Sequence, residues 1–184
     1  IIKFRIELLN NDAPLVGSGI DKDINTDVLA FRAYLASLDD SVTPQWKTFN
    51  YMGRGEDFFT YEKFSRKINF SFDVFAHSEE EMPAIYTKLN YLISSMAPDY
   101  NDKLQMRGNY AYLTIGDYIY RQPGVFTQMN ISNLLTAPWE IALDEPEGGT
   151  KQLILPHIVE VNMTFTPIGS QTKGQNIISG KYLE

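Results

Sequence analysis

Few residues of this chain are of the types that do chemistry, and their spacing does not gather them into a site. The 184 residues contain two histidines, His77 and His157, and no cysteine. Lack of cysteine removes disulfides, thiolate zinc sites and thiol nucleophiles together, and it fits a reducing compartment. Neither histidine has a second histidine at helical ligand spacing or the setting of a Ser–His nucleophile. Both read as surface or hydrogen-bonded side chains. Gly17-Ser18-Gly19 and Gly53-Arg54-Gly55 lack the third Gly or the Gly-Lys-Ser/Thr of a dinucleotide or phosphate loop. Carboxylates are plentiful, but a catalytic pair is recognised only by its separation in space. The residues therefore point to no enzyme, no cofactor and no metal.

Composition narrows the partners. The formal net charge of −7 lacks the basic surface that would replace counterions on nucleic acid, although it leaves room for a protein that nucleic acid passes by. No apolar run approaches the roughly 20 residues of a membrane-spanning helix. Aromatics at 13% and charges at 21% are those of a chain with a packed core. A single domain over residues 1–184 is the simplest expectation for this length. The opening IIKFRIELL alternates like a strand and not like a signal peptide, and it starts at Ile1, which leaves room for residues before it.

The elements that must position any site are mostly strands. Ile68, Phe70, Phe72 and Val74 alternate with Asn69, Ser71 and Asp73, the period of a half-buried strand. Val159, Val161, Met163 and Phe165 alternate in the same way with Glu160, Asn162 and Thr164. Ile2, Phe4, Ile6 and Leu8 predict a first strand. Between the two clear strands, Ser78 and Glu81 have capping-box spacing before Met82, Ile85, Tyr86, Leu89, Ile93 and Met96. That predicts one amphipathic helix over about 79–96, with Pro83 delaying its start and Tyr91 opposite the apolar stripe. Thr26–Leu38 fits a short helix or a strand. Asp39–Pro44 reads as a turn, Trp46–Tyr51 as extended and Ala97–Arg107 as a loop. Gly116-Asp117 reads as a hairpin turn between Tyr110–Ile115 and Tyr118–Arg121, and Pro123-Gly124 as the next turn before Val125–Ile131. Trp139–Leu143 is a further short strand, followed by an acidic, Gly-rich loop. The sum is a mainly β, α+β fold with an antiparallel sheet and one prominent helix.

The densest signal lies before the central strand. Arg54, Glu56, Asp57, Glu62, Lys63, Arg66 and Lys67 are interleaved with Phe58, Phe59, Tyr61 and Phe64. Such a segment is either a hairpin whose aromatics cover the core, or an interface, since aromatics and Arg are enriched where proteins bind. The crowding of aromatics favours the interface.

The run FRAYLASLDDSVTPQW, then NYMGRGEDFFTYEKFSRKINFSF, resembles the aromatic, Gly-Arg and Tyr…Ser-Arg pattern of tail-tube-fold proteins from contractile bacteriophage tails. EEEMPAIYTKLNYLISSMAPDY, LTIGDYIYRQPGVF, PWEI and LPHIVEVNMTFTPI follow in the same order. The resemblance covers roughly residues 28–168; residues 1–27 match loosely and 168–184 read as a tail. It is closest to baseplate tube proteins, or tube initiators. It implies a β-sandwich or barrel with an outer helix, a hexameric ring and no catalytic residues. It also implies stacking on adjacent tail-tube or baseplate-hub rings, with sheath or tape-measure proteins as further partners, in a virion assembled in host cytoplasm. Phe31–Leu38 becomes a strand by the same resemblance. Contacts between subunits and rings are expected at Gly53, Arg54, Asp57, Tyr61, Ser65 and Arg66, and at Tyr91 on the helix. Asn69, Ser71, Asp73, Glu160, Asn162 and Thr164 are expected to line a channel through which DNA passes without specific binding. The rival readings are the tube protein of another contractile injection system and a monomeric β-sandwich binding module.

Overall fold

A computed structural model of the chain describes residues 4–9, 26–31, 33–78, 81–100, 106–133, 139 and 155–169. In chain order these form β1 (Phe4–Leu9), β2 (Thr26–Ala30), β3 (Ala33–Asn50), β4 (Asp57–Phe75), α1 (Glu81–Ser94), β5 (Asp99–Tyr100), β6 (Met106–Arg107), β7 (Ala111–Ile115), β8 (Ile119–Asn133) and β9 (Ile158–Pro167). Seven strands make one antiparallel sheet in the order β2-β1-β7-β8-β9-β4-β3, and β5 and β6 make a small separate pair. The fold is mainly β with one helix, as the alternation predicts.

The sheet rolls up on itself. β1 and β4 stand four strands apart in the sheet, about 19 Å if it were flat at its usual spacing. Yet the rings of Phe4 and Phe72 are 4.9 Å apart, and those of Phe4 and Phe70 5.6 Å. The inner face is therefore closed on itself like a barrel, and the alternating residues fill it. Ile6 and Leu8 from β1, Leu113 and Ile115 from β7, the β9 set Val159, Val161, Met163 and Phe165, and the β4 set Ile68, Phe70, Phe72 and Val74 are all buried in one cluster. Burial of each such side chain stabilises the fold by about 1.5–3 kcal/mol. Register confirms the faces: Phe70 lies opposite Met163, which lies opposite Met129, and Phe72, Val161 and Ile131 make the next row.

Helix α1 starts at Glu81, later than Ser78 suggests, and Glu81 reaches back to accept the His77 N–H at 3.1 Å. This is a capping contact shifted by one residue from the expected box. Met82, Leu89 and Leu92 are its buried residues, with Ile85 and Tyr86 packed at the margin. Ile93, expected on the apolar stripe, is exposed, and Leu92 takes its place. The helix is tied to β2 by Lys88 Nζ donating to the Ala30 carbonyl at 3.1 Å and by the Tyr91 hydroxyl on the Asp27 carboxylate.

Several expected turns are strand. Asp39–Pro44 lies inside β3, which runs unbroken from Ala33 to Asn50 because every residue of it but Ala36 has a partner on β4. Residues 26–30 and 33–38 lie in two strands, β2 and β3, and not in a helix. The expected charged loop from Tyr51 onward is a tight turn followed by strand from Asp57. Residues 97–107 include the short β5–β6 pair. Pro123-Gly124 sits within β8, opposite Tyr112 and Ala111. Glycine is needed there because a Cβ would meet the Phe165 ring at 2.4 Å and the Thr166 carbonyl at 2.5 Å. The Gly116 hairpin is present, with Gly116 at φ 54°. Of the short strand expected at Trp139–Leu143, only Trp139 is described, in a bridge with Pro156; the rest lies outside the described residues.

Candidate assembly surfaces

The first surface is built by the mismatch in length between neighbouring strands. β9 pairs with β4 only from Ile68 to Phe75, whereas β3 pairs with it along its whole length. Residues 57–67 of β4 and 41–50 of β3 thus leave the sheet as a bare two-stranded ribbon, roughly 35 Å long at the usual rise per residue. Its tip is the Tyr51–Arg54 turn, closed by Arg54 N–H donating to the Tyr51 carbonyl at 3.1 Å, with Gly53 at φ 87°. Only glycine adopts that angle without strain.

The ribbon has two unlike faces. Val42, Pro44 and Trp46 of β3 lie opposite Arg66, Phe64 and Tyr61 of β4 and extend the apolar inner face of the sheet; Thr48 and Phe59 continue it toward the tip. Trp46 and Tyr61 meet edge to face at 4.9 Å, but no core covers them: Trp46 is 55% and Phe59 63% exposed. The other face carries Thr43, Gln45, Lys47, Thr60, Lys63, Ser65 and Lys67. Near the tip it ends in a nest of Phe49, Tyr51 and Phe58 with ring spacings of 5.2–5.8 Å, beyond which Met52 is fully exposed. A two-stranded hairpin is marginal in water by itself, and among the described residues no further strand or helix packs on this ribbon.

The seven residues expected at contacts divide by position. Gly53, Arg54 and Asp57 are at the tip, Tyr61 is on the apolar face, and Ser65 lines a cleft of about 370 Å³ at the ribbon's base, where β9 turns away at Pro167 and Gly169. Tyr91 lies on α1, its ring partly exposed and its hydroxyl on Asp27. That hydrogen bond, then burial, pushes the phenol pKa up to about 12. Arg66 differs from the rest. It is only 4% exposed, and its Nε and Nη2 bind the two Asp40 carboxylate oxygens at 2.9 and 2.5 Å. In this chain it is a buried partner at the ribbon's root, not an open contact.

The second surface is the outer face of β3, β4, β9 and β8. All six residues expected in a channel wall lie on it, paired row by row: Asn69 with Thr164, Ser71 with Asn162, Asp73 with Glu160. The rows extend to strands that alternation alone did not single out, through Asp39 and Gln128, Ser37 and Asn130, and Tyr34 and Ser132. Hydrogen bonds run across them: Thr164 Oγ1 to Asn69 Oδ1 at 2.9 Å, Ser37 to Ser71 at 2.7 Å, and Asn162 Nδ2 to Glu160 at 3.2 Å. These rows contain three carboxylates and no Lys or Arg. Burial, then the neighbouring Glu160 charge, pushes the Asp73 carboxyl pKa up. On the same side of the sheet over β1 and β7, Glu7 is wholly buried between Arg5 at 2.7 Å and Arg121 at 3.2 Å, with the guanidinium of Arg121 over the Tyr112 ring. Alternation gave no sign of this cluster, since its members lie on three strands.

His77 and His157 lie near each other, Ala76 N–H donating to the His157 carbonyl. Among the described residues no three of His, Cys, Asp and Glu are grouped to hold a metal ion, and no helix is long and apolar enough to cross a membrane.

No family model matches the chain, and no curated protein does. Among solved structures it is similar to a chain of the anti-feeding prophage (AFP) baseplate, determined by cryo-EM with 6-fold symmetrisation. That alignment covers 91% of this chain and 89% of the other at 10% identity, with a TM-score of 0.32.

Proposed function

We propose that this protein is a structural ring subunit of a contractile tail, in the baseplate hub or at the start of the tail tube, and that it catalyses no reaction. The observation that carries the reading is the bare ribbon. A chain that projects an aromatic-faced, two-stranded arm from a rolled sheet gains from folding that arm only when another surface covers it. Among the described residues both sheet edges, β2 and β3, also lack an outer partner strand, which a soluble monomer normally guards against. The ordered likeness of residues 28–168 to tail-tube-fold proteins supplies the kind of assembly, including its six-fold ring and its stacking on adjacent tube or hub rings.

On this reading the ribbon reaches a neighbouring copy or ring, and the polar rows on β3, β4, β9 and β8 face the channel. Short, uncharged side chains with a few carboxylates offer phosphate no cation to bind, so DNA would slide past without sticking. The test is the mass of the purified full chain in solution across a wide concentration range, beside a Trp46→Ser/Phe59→Ser variant. Closed multimers that the variant cannot form would support the proposal. A strict monomer at every concentration would favour a free binding module instead.

A further inference from the structure

We infer that Asp40, Arg66 and Tyr118 form a clamp that fixes the angle at which the ribbon leaves the barrel, so that they are positioning residues for assembly and not contact residues. The inference goes beyond the ring-subunit reading, because it concerns the direction of the ribbon within one chain. Asp40 lies on β3 opposite Ile68, the last residue of β4 that β9 supports, and Arg66 lies on β4 two residues beyond it. Tyr118 comes from the β7–β8 turn, on the far side of the rolled sheet. Its hydroxyl donates to Asp40 Oδ2 at 3.2 Å, the oxygen that also takes Arg66 Nη2. The ribbon's root is thus tied across the mouth of the barrel to an element that takes no part in the ribbon.

The position of the clamp between two irregularities gives it something to control. Below it, Ala36 is an extra residue on β3, and above it Glu62 is an extra residue on β4. Such bulges bend a strand and increase its twist, and a lone pair of strands twists more freely than a wide sheet. Only the Glu62 bulge lies within the ribbon itself, and a freely twisting pair of strands has no fixed direction unless its root is held. Of the contacts there, the two-pronged Arg66–Asp40 pair is the strong one: it is charge-assisted and part-buried, with the Arg66 side chain the more enclosed of the two. Tyr118 then sets where that pair sits relative to the barrel.

The chain's lack of cysteine permits a direct reading of the angle. Spin labels at Met52→Cys on the tip and Thr127→Cys on the barrel report their separation by pulsed electron paramagnetic resonance in the full chain. A single narrow distance distribution is expected with the clamp intact. Tyr118→Phe should broaden it about twofold and Asp40→Asn further, with circular dichroism unchanged for Tyr118→Phe. Should Asp40→Asn fail to fold, Tyr118→Phe decides alone. A distribution in Tyr118→Phe as narrow and as centred as that of the parent overturns the inference, whatever the state of assembly.

Discussion

Arg54 and Arg66 stand twelve positions apart on one hairpin and have opposite roles in the fold. Arg54 is at an exposed tip, so Arg54→Ala should leave stability within about 0.5 kcal/mol while weakening assembly. Arg66→Ala would leave the half-buried Asp40 carboxylate without its cation, and loss of such a charged hydrogen-bond partner costs about 1–3 kcal/mol. Chemical denaturation of the two variants should separate them clearly. A backbone limit of another kind applies at Gly124, where the Cβ of Gly124→Ala would strike Phe165; about 1–3 kcal/mol of destabilisation is expected from overpacking. The two shifted aspartates act in opposite directions with pH. The Asp40 pKa is held down by the Arg66 hydrogen bond, so its contribution is present above the ordinary value of 3.8 and is lost as pH falls toward the lowered pKa. The Asp73 pKa is raised, so the folded state binds that proton more tightly than the unfolded chain. Stability from this group therefore declines as pH rises from 3.8 through the raised pKa. Asp73→Asn should abolish that second trend in melts across the acid range, whereas an unchanged slope would contradict the assignment.

At the scale of elements, β4 shows why part of the fold was legible in the sequence and part was not. From Ile68 to Val74 one face is core and the other polar, so alternation marks the strand at once. From Asp57 to Lys63 most side chains on both faces are exposed, aromatics and charges occur on both, and the period is lost although the backbone is still strand. Asp39 to Pro44 has turn-forming residues, yet the ladder to β4 holds it extended. Pro123-Gly124 misled in a different way: the glycine is there to admit the Phe165 ring and not to turn the chain. The polar wall was half legible. Its β4 and β9 rows alternate cleanly, while Gln128 and Asn130 became wall residues only through register. The clamp could not be read, because Tyr118 and Asp40 are separated by 78 positions. If the ribbon is an arm and not part of the barrel's support, replacing Trp46, Phe59 and Tyr61 together with Ser should leave the barrel's cooperative unfolding in place. The same replacement should abolish higher-order species in sedimentation. Collapse of the monomer's melt would show instead that the ribbon holds up the core.

The described residues join an apolar interior to three features that a solitary protein rarely keeps together: a projecting aromatic arm, two sheet edges with no described partner strand and a polar wall poor in cations. Each has a use in a ring. On the proposed reading an arm of one copy meets an edge of the next, a heterologous contact that makes a ring with a central opening when the rotation closes and an open filament when it does not; the polar wall is then the surface proposed to face that opening. Assembly into rings is tested most directly by electron microscopy of the purified full chain at high concentration. Rings with a stain-filled centre, alone or stacked, are the expected image, and they should vanish in the Trp46→Ser/Phe59→Ser/Tyr61→Ser variant. Fields of separate compact particles of single-chain size, the same for both proteins at every concentration, would contradict it.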